Sequence, residues 1–84
     1  MKKLWDESAW NDYLYWQKTD KKIHHKINEL LKSCDRTPIS GIGKPERLKG
    51  SLSGCWSRRI NKEHRLIYKV EKETISIIQC RFHY

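Results

Sequence analysis

The first part of the chain carries side chains that recur at the spacing of an α-helix. A first helix over residues 7–18 is predicted by these positions: Ala9, Trp10, Tyr13, Leu14 and Gln17. Asp6 or Ser8 can accept hydrogen bonds from the unpaired amides of a first helical turn. We therefore expect one of these two residues to begin the helix.

A second helix is predicted by a longer apolar stripe. Its members follow an i, i+4, i+7, i+8, i+11 pattern: Ile23, Ile27, Leu30, Leu31 and Cys34. Thr19 or Asp20 is expected to begin this helix, and Pro38 follows soon after its end because proline cannot continue a helix.

The hydrophobic period changes to two after Gly54. Two strands meeting at residues 61–64 are predicted by alternating positions: Trp56, Arg58 and Ile60, then Leu66, Tyr68 and Val70. A third strand is predicted over residues 74–82, and residues 2–5 can add an edge strand. These elements predict an α+β fold with two N-terminal helices on one face of a small twisted antiparallel sheet. We expect the other face to be open to solvent.

Length and composition narrow the class of protein. With 84 residues, the chain can build one hydrophobic core, so residues 1–84 are expected to form one domain. Hydrophobic residues at 37% are too many for a disordered chain, and charged residues at 33% interrupt any membrane span. The start of the chain, MKKLWDES, lacks the apolar run of a secretory signal. A cytoplasmic protein is expected, with no membrane partner.

The three cysteines give little evidence of a metal or a disulfide. Cys34, Cys55 and Cys80 are widely spaced and contain no C-x-x-C pair. Cys80 and His83 form a C-x-x-H half-site, which without a second pair is weak evidence for zinc. We expect reduced thiols, no metal and no cofactor.

Positive charge is concentrated in the second part of the chain. The net charge is +8, and every arginine lies after residue 33. Residues 1–33 carry seven lysines and five acids, whereas residues 34–84 carry eleven lysines plus arginines and five acids. This balance favours a polyanionic partner, nucleic acid above all, and arginine can hold a phosphate through two hydrogen bonds.

Arg59 and Arg65 form a possible phosphate site. If the hairpin closes with Ile60 opposite His64, the two arginines become cross-strand neighbours. Two interpretations remain: both guanidinium groups extend into water, or they hold an anion between them. The second is favoured by further basic residues nearby: Lys49, Arg58 and Arg81. The aromatic residues of the N-terminal part are interpreted as core or helix–sheet packing rather than base-stacking platforms: Trp5, Trp10, Tyr13 and Trp16.

The chain contains residues that could cleave RNA without a metal. This reaction needs a base for the ribose 2′-OH, an acid for the leaving 5′ oxygen and cations near the phosphate. Glu46 is the one acid in the basic loop segment GKPERLK, and His83 is a candidate acid. A Walker loop is absent from the sequence, and the carboxylates are too dispersed for a metal-dependent nuclease. The residue inventory by itself favours nucleic-acid binding over cleavage.

Four segments, in this order, resemble the YoeB/Txe toxins of the RelE superfamily: GKPERLKG, LSGCWSRRI, EHRLIY and CRFHY. The resemblance extends over essentially the whole chain. It implies a toxin of a type II toxin-antitoxin system that cleaves mRNA in the ribosomal A site and inhibits translation. It also implies a fold of two helices against a twisted antiparallel sheet.

The resemblance implies a role for each matching site residue. Glu46 would be the general base, His83 the general acid, and Arg65 would stabilise charge in the transition state. Contacts to phosphate are implied for Arg59 and Lys49, and Tyr84 would help to position substrate. Attack by the 2′-OH would leave a 2′,3′-cyclic phosphate and a 5′-OH.

The implied partners are an acidic antitoxin, the 70S ribosome with its mRNA, and a second copy of the chain in a homodimer. DNA would be bound only together with the antitoxin. The alternative is a non-catalytic basic protein that blocks translation by occupying the ribosome or RNA. A third possibility, half of a repressor complex, is weakened because no helix-turn-helix is evident.

Overall fold

Two helices and a five-stranded sheet form the part of the chain that the computed structural model describes, residues 1–82. In chain order these elements are β1 (Lys2–Trp5), α1 (Glu7–Thr19), α2 (Lys21–Arg36), β2 (Glu46–Arg47), β3 (Trp56–Arg59), β4 (Arg65–Glu71) and β5 (Thr74–Gln79). A short 3₁₀ helix, Gly50–Leu52, lies between β2 and β3. The α+β prediction is confirmed.

The helix boundaries follow the predicted signals closely. Asp20 begins α2, and its side chain accepts hydrogen bonds from the backbone amides of Lys22 and Ile23. Asp6 occupies the same position before α1, although among residues 1–82 no backbone amide donates to its side chain. The sequence therefore marked both helix starts, and one of the two caps is formed.

The sheet is mixed rather than wholly antiparallel. Its strand order is β1-β5-β4-β3-β2, and β1 runs parallel to β5, with Lys2 opposite Thr74 and Trp5 opposite Ile77. The other three pairings are antiparallel. The predicted edge strand exists, but its direction was not predicted. Strands distant in sequence pair in either direction, and here the two helices and three strands separate β1 from β5.

The core lies between the helices and one face of the sheet. The apolar stripe of α2 is buried as predicted, with Ile27, Leu30 and Cys34 fully inaccessible. Sheet residues of β4 and β5 complete this cluster: Leu66, Tyr68, Ile75 and Ile77. We call their side of the sheet the helix face.

The aromatic residues of the N-terminal part pack mainly as predicted. Trp16 is buried, and its indole N–H donates to the carbonyl of Cys80 over 2.8 Å. Trp5, Trp10 and Tyr13 contact one another through their rings, with Trp10 at the surface and 43% exposed. This group joins α1 to the edge of the sheet.

The opposite side of the sheet, the open face, is only partly open to solvent. Strand alternation assigns it these residues: Glu46, Ser57, Arg59, Arg65, Ile67 and Lys69. Ser57 and Ile67 are buried at its centre, which corrects the expectation of a wholly solvated face. Leu48, two residues beyond Glu46 and also buried, belongs to the same side by alternation. The charged residues thus lie beside a small apolar centre.

Two strand boundaries differ from the prediction. Glu46 lies in β2, a two-residue strand, and not in a loop. Strand β5 ends at Gln79 and does not continue to residue 82: the next amide, that of Cys80, donates to the side chain of Asp12, and Phe82 has a positive φ of 66°. No helix within residues 1–82 is long and apolar enough to cross a membrane.

Candidate functional site

The β3–β4 hairpin brings Arg59 and Arg65 directly opposite each other. The amide of Ile60 donates to the carbonyl of His64 over 3.0 Å, and the register pairs Arg59 with Arg65. Residues opposite each other on one face have Cβ atoms about 5 Å apart. The predicted pairing of two cations on one face of the sheet is confirmed.

The hairpin turn holds Arg65 through backbone carbonyls. Nη1 of Arg65 donates to the carbonyl of Asn61 over 2.6 Å and to that of His64 over 3.1 Å. Asn61 also accepts, through its side-chain Oδ1, from the amides of Glu63 and His64. This Asx turn shapes the turn and fixes one edge of the Arg65 guanidinium. Arg59, by contrast, is exposed.

Glu46 lies in the same region of the open face. It pairs with Ser57, which precedes Arg59 by two residues in β3. Side chains two residues apart in a strand lie on the same face of the sheet. Glu46 and Arg59 are therefore diagonal neighbours on the open face, with Cα atoms about 7–8 Å apart. An exposed carboxylate and two guanidinium groups therefore share one end of the open face.

Lys49 is separated from this group. The ladder between β2 and β3 extends beyond Arg47, since the Leu48 amide donates to the carbonyl of Cys55 over 2.9 Å. Lys49 then follows three residues after Glu46, about 10 Å along an extended chain, and in the direction away from Arg59. Glu46 thus lies between Lys49 and the arginine pair.

Arg58 does not belong to the candidate site, which corrects the expectation that it favours phosphate binding there. It is fully buried on the helix face. Its Nε donates to the Tyr68 hydroxyl, Nη1 donates to the Ser33 hydroxyl and the Ile42 carbonyl, and Nη2 donates to two further carbonyls, those of Thr37 and Ser40. All five N–H donors of the guanidinium are used.

The Arg58 hydrogen bonds fix the loop that follows α2. Thr37 is the C-cap of α2, so a buried cation sits at the negative end of the helix dipole. Tyr68 extends the network by donating to the carbonyl of Pro38 over 2.8 Å. Burial raises the pKa of the Tyr68 hydroxyl to about 12, so it stays a neutral donor at neutral pH.

Two glycines allow this loop to approach Arg58. A Cβ added to Gly41 would clash with the Ser33 hydroxyl, and one added to Gly43 would lie 2.7 Å from Leu30 and 3.1 Å from the Arg58 Cβ. The carbonyl of Gly43 accepts from the amide of Arg59 over 2.7 Å. The loop that leads into β2 and Glu46 is therefore held against β3.

The segment Cys80–Phe82 is anchored between α1 and the hairpin. The Cys80 amide donates to the carboxylate of Asp12 over 3.2 Å, and burial raises the pKa of that carboxyl group. Arg81 stacks its guanidinium on Tyr15, 3.7 Å from the ring centroid, and so packs against α1. This corrects its expected place beside the arginine pair.

Phe82 is the part of this segment that reaches the candidate site. Its amide donates to Nδ1 of His64 over 2.7 Å, and its carbonyl accepts from the amide of Arg65 over 3.0 Å. His64 and Phe82 are not among the site residues that the sequence predicts, because their contact joins a hairpin turn to a segment that is distant in sequence. His83 and Tyr84 lie outside the described residues.

The cysteines and acids offer no metal centre in the described part of the chain. Among residues 1–82, no group of three or more His, Cys, Asp or Glu side chains is placed to hold a metal ion. Cys34 and Cys80 are buried, and burial raises the pKa of the Cys80 thiol to about 12. Such a thiol is a core residue rather than a nucleophile.

Comparison with known proteins identifies close relatives over the whole chain. A family model described as YoeB-like toxin of bacterial type II toxin-antitoxin system matches residues 5–84. Toxin YoeB of Escherichia coli (strain K12) is 60% identical over 84 residues, which cover 100% of both chains.

Solved structures agree with this comparison. A YoeB/ParE toxin from Agrobacterium tumefaciens superposes with a TM-score of 0.97 at 51% identity, covering 100% of both chains. A YoeB from Staphylococcus aureus, solved in a heterotetrameric YoeB-YefM toxin-antitoxin complex, gives a TM-score of 0.93 at 52% identity, covering 100% of this chain and 98% of that one. The same TM-score and identity hold for a YoeB dimer from Staphylococcus aureus, with the same coverage.

Proposed function

The chain belongs to the YoeB-like toxins of bacterial type II toxin-antitoxin systems, and from this premise we propose that it is a metal-independent endoribonuclease. Its substrate is mRNA in the A site of a translating ribosome, and cleavage there inhibits translation. The observation that carries the proposal is the grouping of Glu46, Arg59 and Arg65 at one end of the open face.

The paired arginines supply the cationic half of the proposed site. Two guanidinium groups that face each other repel, and a phosphate between them converts this repulsion into attraction. The turn carbonyls hold Nη1 of Arg65, so its guanidinium keeps one direction without a bound anion. Such preorganised charge is the largest single contribution to many enzymatic rates. Arg65 stabilises the developing negative charge, and Arg59 holds the scissile phosphate.

In the proposed reaction, Glu46 takes the proton from the ribose 2′-OH. The 2′ oxygen forms a bond to phosphorus while the bond from phosphorus to the 5′ oxygen breaks. His83 gives its proton to that leaving oxygen. The products are a 2′,3′-cyclic phosphate and a 5′-OH end. The proposed reaction uses neither a metal nor a cofactor.

The remaining candidate residues bind the substrate. Lys49 lies along the chain on the far side of Glu46 from Arg59, so it contacts a neighbouring backbone phosphate rather than the scissile one. Tyr84 positions the substrate beside the scissile bond. In the sequence, His83 and Tyr84 follow directly after Phe82, whose carbonyl accepts a hydrogen bond from the amide of Arg65.

The proposal includes the partners expected of such a toxin. The Staphylococcus aureus YoeB has been solved in a complex with YefM and as a dimer. We propose that this chain binds an acidic antitoxin over its basic surface, forms a homodimer, and contacts DNA only together with the antitoxin. We further propose that it acts in the cytoplasm.

Cleavage is tested with purified protein, translating ribosomes and mapped mRNA ends. We expect Glu46→Ala, Arg65→Ala and His83→Gln each to lower the cleavage rate by about 100-fold or more, since each removes a proton-transfer or charge-stabilising group. Matched controls are Glu73→Ala and Arg36→Ala, exposed residues outside the candidate site, which should cleave at the wild-type rate.

Two outcomes would contradict the proposal. Undiminished cleavage in all three variants would remove these residues from the mechanism. Intact mRNA, combined with translation arrest that weakens as salt is raised, would instead identify a binding protein that acts by occupancy.

A further inference from the structure

Phe82 adopts a backbone conformation that a bulky residue rarely takes. Its φ is +66°, in the left-handed region, and nothing in its own side chain favours that region. A strained backbone of this kind persists where surrounding contacts determine it. The contacts that determine it here come from His64 and Arg65.

Two hydrogen bonds hold Phe82 on both sides of its Cα. Its amide donates to Nδ1 of His64 over 2.7 Å, and its carbonyl accepts from the amide of Arg65 over 3.0 Å. The His64 ring is itself fixed, since it packs edge-on against Trp16 with centroids 4.7 Å apart. Phe82 therefore turns the chain at a rigid point beside the arginine pair.

The hydrogen bond from the Phe82 amide also identifies the tautomer of His64. A backbone N–H can only donate, so Nδ1 must carry a lone pair, and the neutral ring then has its proton on Nε2.

We propose that His64 is a positioning residue for Arg65 of the candidate site. By accepting from the Phe82 amide, it holds Phe82 in place, and the Phe82 carbonyl in turn accepts from the amide of Arg65. This inference rests on the proposed function, in which Arg65 stabilises the developing negative charge. His64 acts through Phe82 and does not touch the reacting atoms.

Two variants separate the acceptor from the ring. His64→Phe keeps an aromatic ring against Trp16 but removes the acceptor, whereas His64→Asn offers an amide oxygen near the position of Nδ1. We expect His64→Phe to lower kcat about 10- to 100-fold, as expected of a misplaced catalytic group. KM should stay within about twofold, because the phosphate contacts of Arg59 and Lys49 are unchanged. His64→Asn should recover most of the loss, and His25→Phe, an exposed histidine of α2, should behave as wild type.

We call the hydrogen bond between the Phe82 amide and His64 the clamp. A measurement that does not depend on cleavage tests the clamp itself. In the wild-type protein, ¹⁵N spectra should show His64 with an unprotonated Nδ1, and the Phe82 amide should exchange slowly with solvent. The amide should exchange rapidly in His64→Phe and slowly again in His64→Asn. Wild-type kcat in His64→Phe, or a rapidly exchanging Phe82 amide in the wild type, would overturn the inference. If the wild type fails to cleave mRNA, the proposed function fails, and the exchange data still decide whether His64 holds Phe82.

Discussion

Arg58 and Arg59 are neighbours in the same strand, yet they belong to different environments. Arg58 is fully buried on the helix face, where its five N–H donors bond to two hydroxyl groups and three carbonyls. Arg59 is exposed on the open face, opposite Arg65. Successive side chains of a strand point to opposite faces, so one residue of separation decides which environment each guanidinium enters.

The comparison shows that an arginine-rich strand need not be a nucleic-acid surface throughout. A buried guanidinium is tolerated only when its donors are paired, and Arg58 meets this condition with carbonyls at the end of α2 and in the loop after it. Its charge therefore stabilises the fold. The charge of Arg59 is exposed and repelled by a neighbour, which suits it to an anion. The same side chain supports structure on one face and the proposed chemistry on the other.

The largest expected effect comes from removing Arg58. Arg58→Ala should lower the free energy of unfolding by at least about 3 kcal/mol, because two hydroxyl groups and three carbonyls lose their hydrogen-bond donor together and a buried side chain is removed. Chemical denaturation measures this change. Arg59→Ala is the matched control and should change stability by no more than about 1 kcal/mol, because Arg59 is exposed and its removal relieves only the repulsion from Arg65. Equal losses in the two variants would break the comparison.

A smaller effect is expected from the glycine that brings the loop against Arg58. In Gly43→Ala, the new Cβ would press on Leu30 and on the Arg58 Cβ, and φ is +84°. We expect a loss of about 2–3 kcal/mol from clash and backbone strain together. Gly54→Ala is matched in φ at +94°, with nothing within 4 Å of the added Cβ. It should lose only about 1 kcal/mol from strain. A difference of zero between the two thermal or denaturant midpoints would show that the loop is not tightly packed.

The smallest effect concerns the repulsion on the open face. Arg59→Gln should raise stability by a few tenths up to about 1 kcal/mol at low salt, because one of two facing cations is removed. Added salt screens exposed charges, so the gain should disappear near 1 M salt, where the Debye length is about 3 Å. Denaturation at several salt concentrations measures it. A gain that does not depend on salt would show that charge repulsion is not its cause.

The local pattern of the sequence predicted most of the secondary structure. The stripe from Ile23 to Cys34 identified α2 and its buried side, and Asp20 marked its start. The alternation around residues 61–64 predicted the hairpin register that pairs Arg59 with Arg65. These features depend on residues close together in the chain, where period and capping chemistry determine the geometry.

Other features were not predictable from local pattern. Strand β2 has two residues, too few to show a period, so the sequence pattern predicts a loop at Glu46. The alternation of β3 and β4 predicts that Arg58 lies on the same face of the sheet as Leu66 and Tyr68. Its charge, however, favours a position at the surface. Its burial is explained by the groups that folding brings to it: the hydroxyls of Ser33 and Tyr68 and the carbonyls of Thr37, Ser40 and Ile42.

For this protein, the amino-acid sequence by itself determined the two helices, the hairpin and the excess of positive charge, since each follows from the order and type of nearby residues. The tertiary structure decided the parallel pairing of β1 with β5, the burial of Arg58 and the clamp between His64 and Phe82. Those contacts join segments that are distant in sequence, and their energies depend on which groups folding brings together away from water.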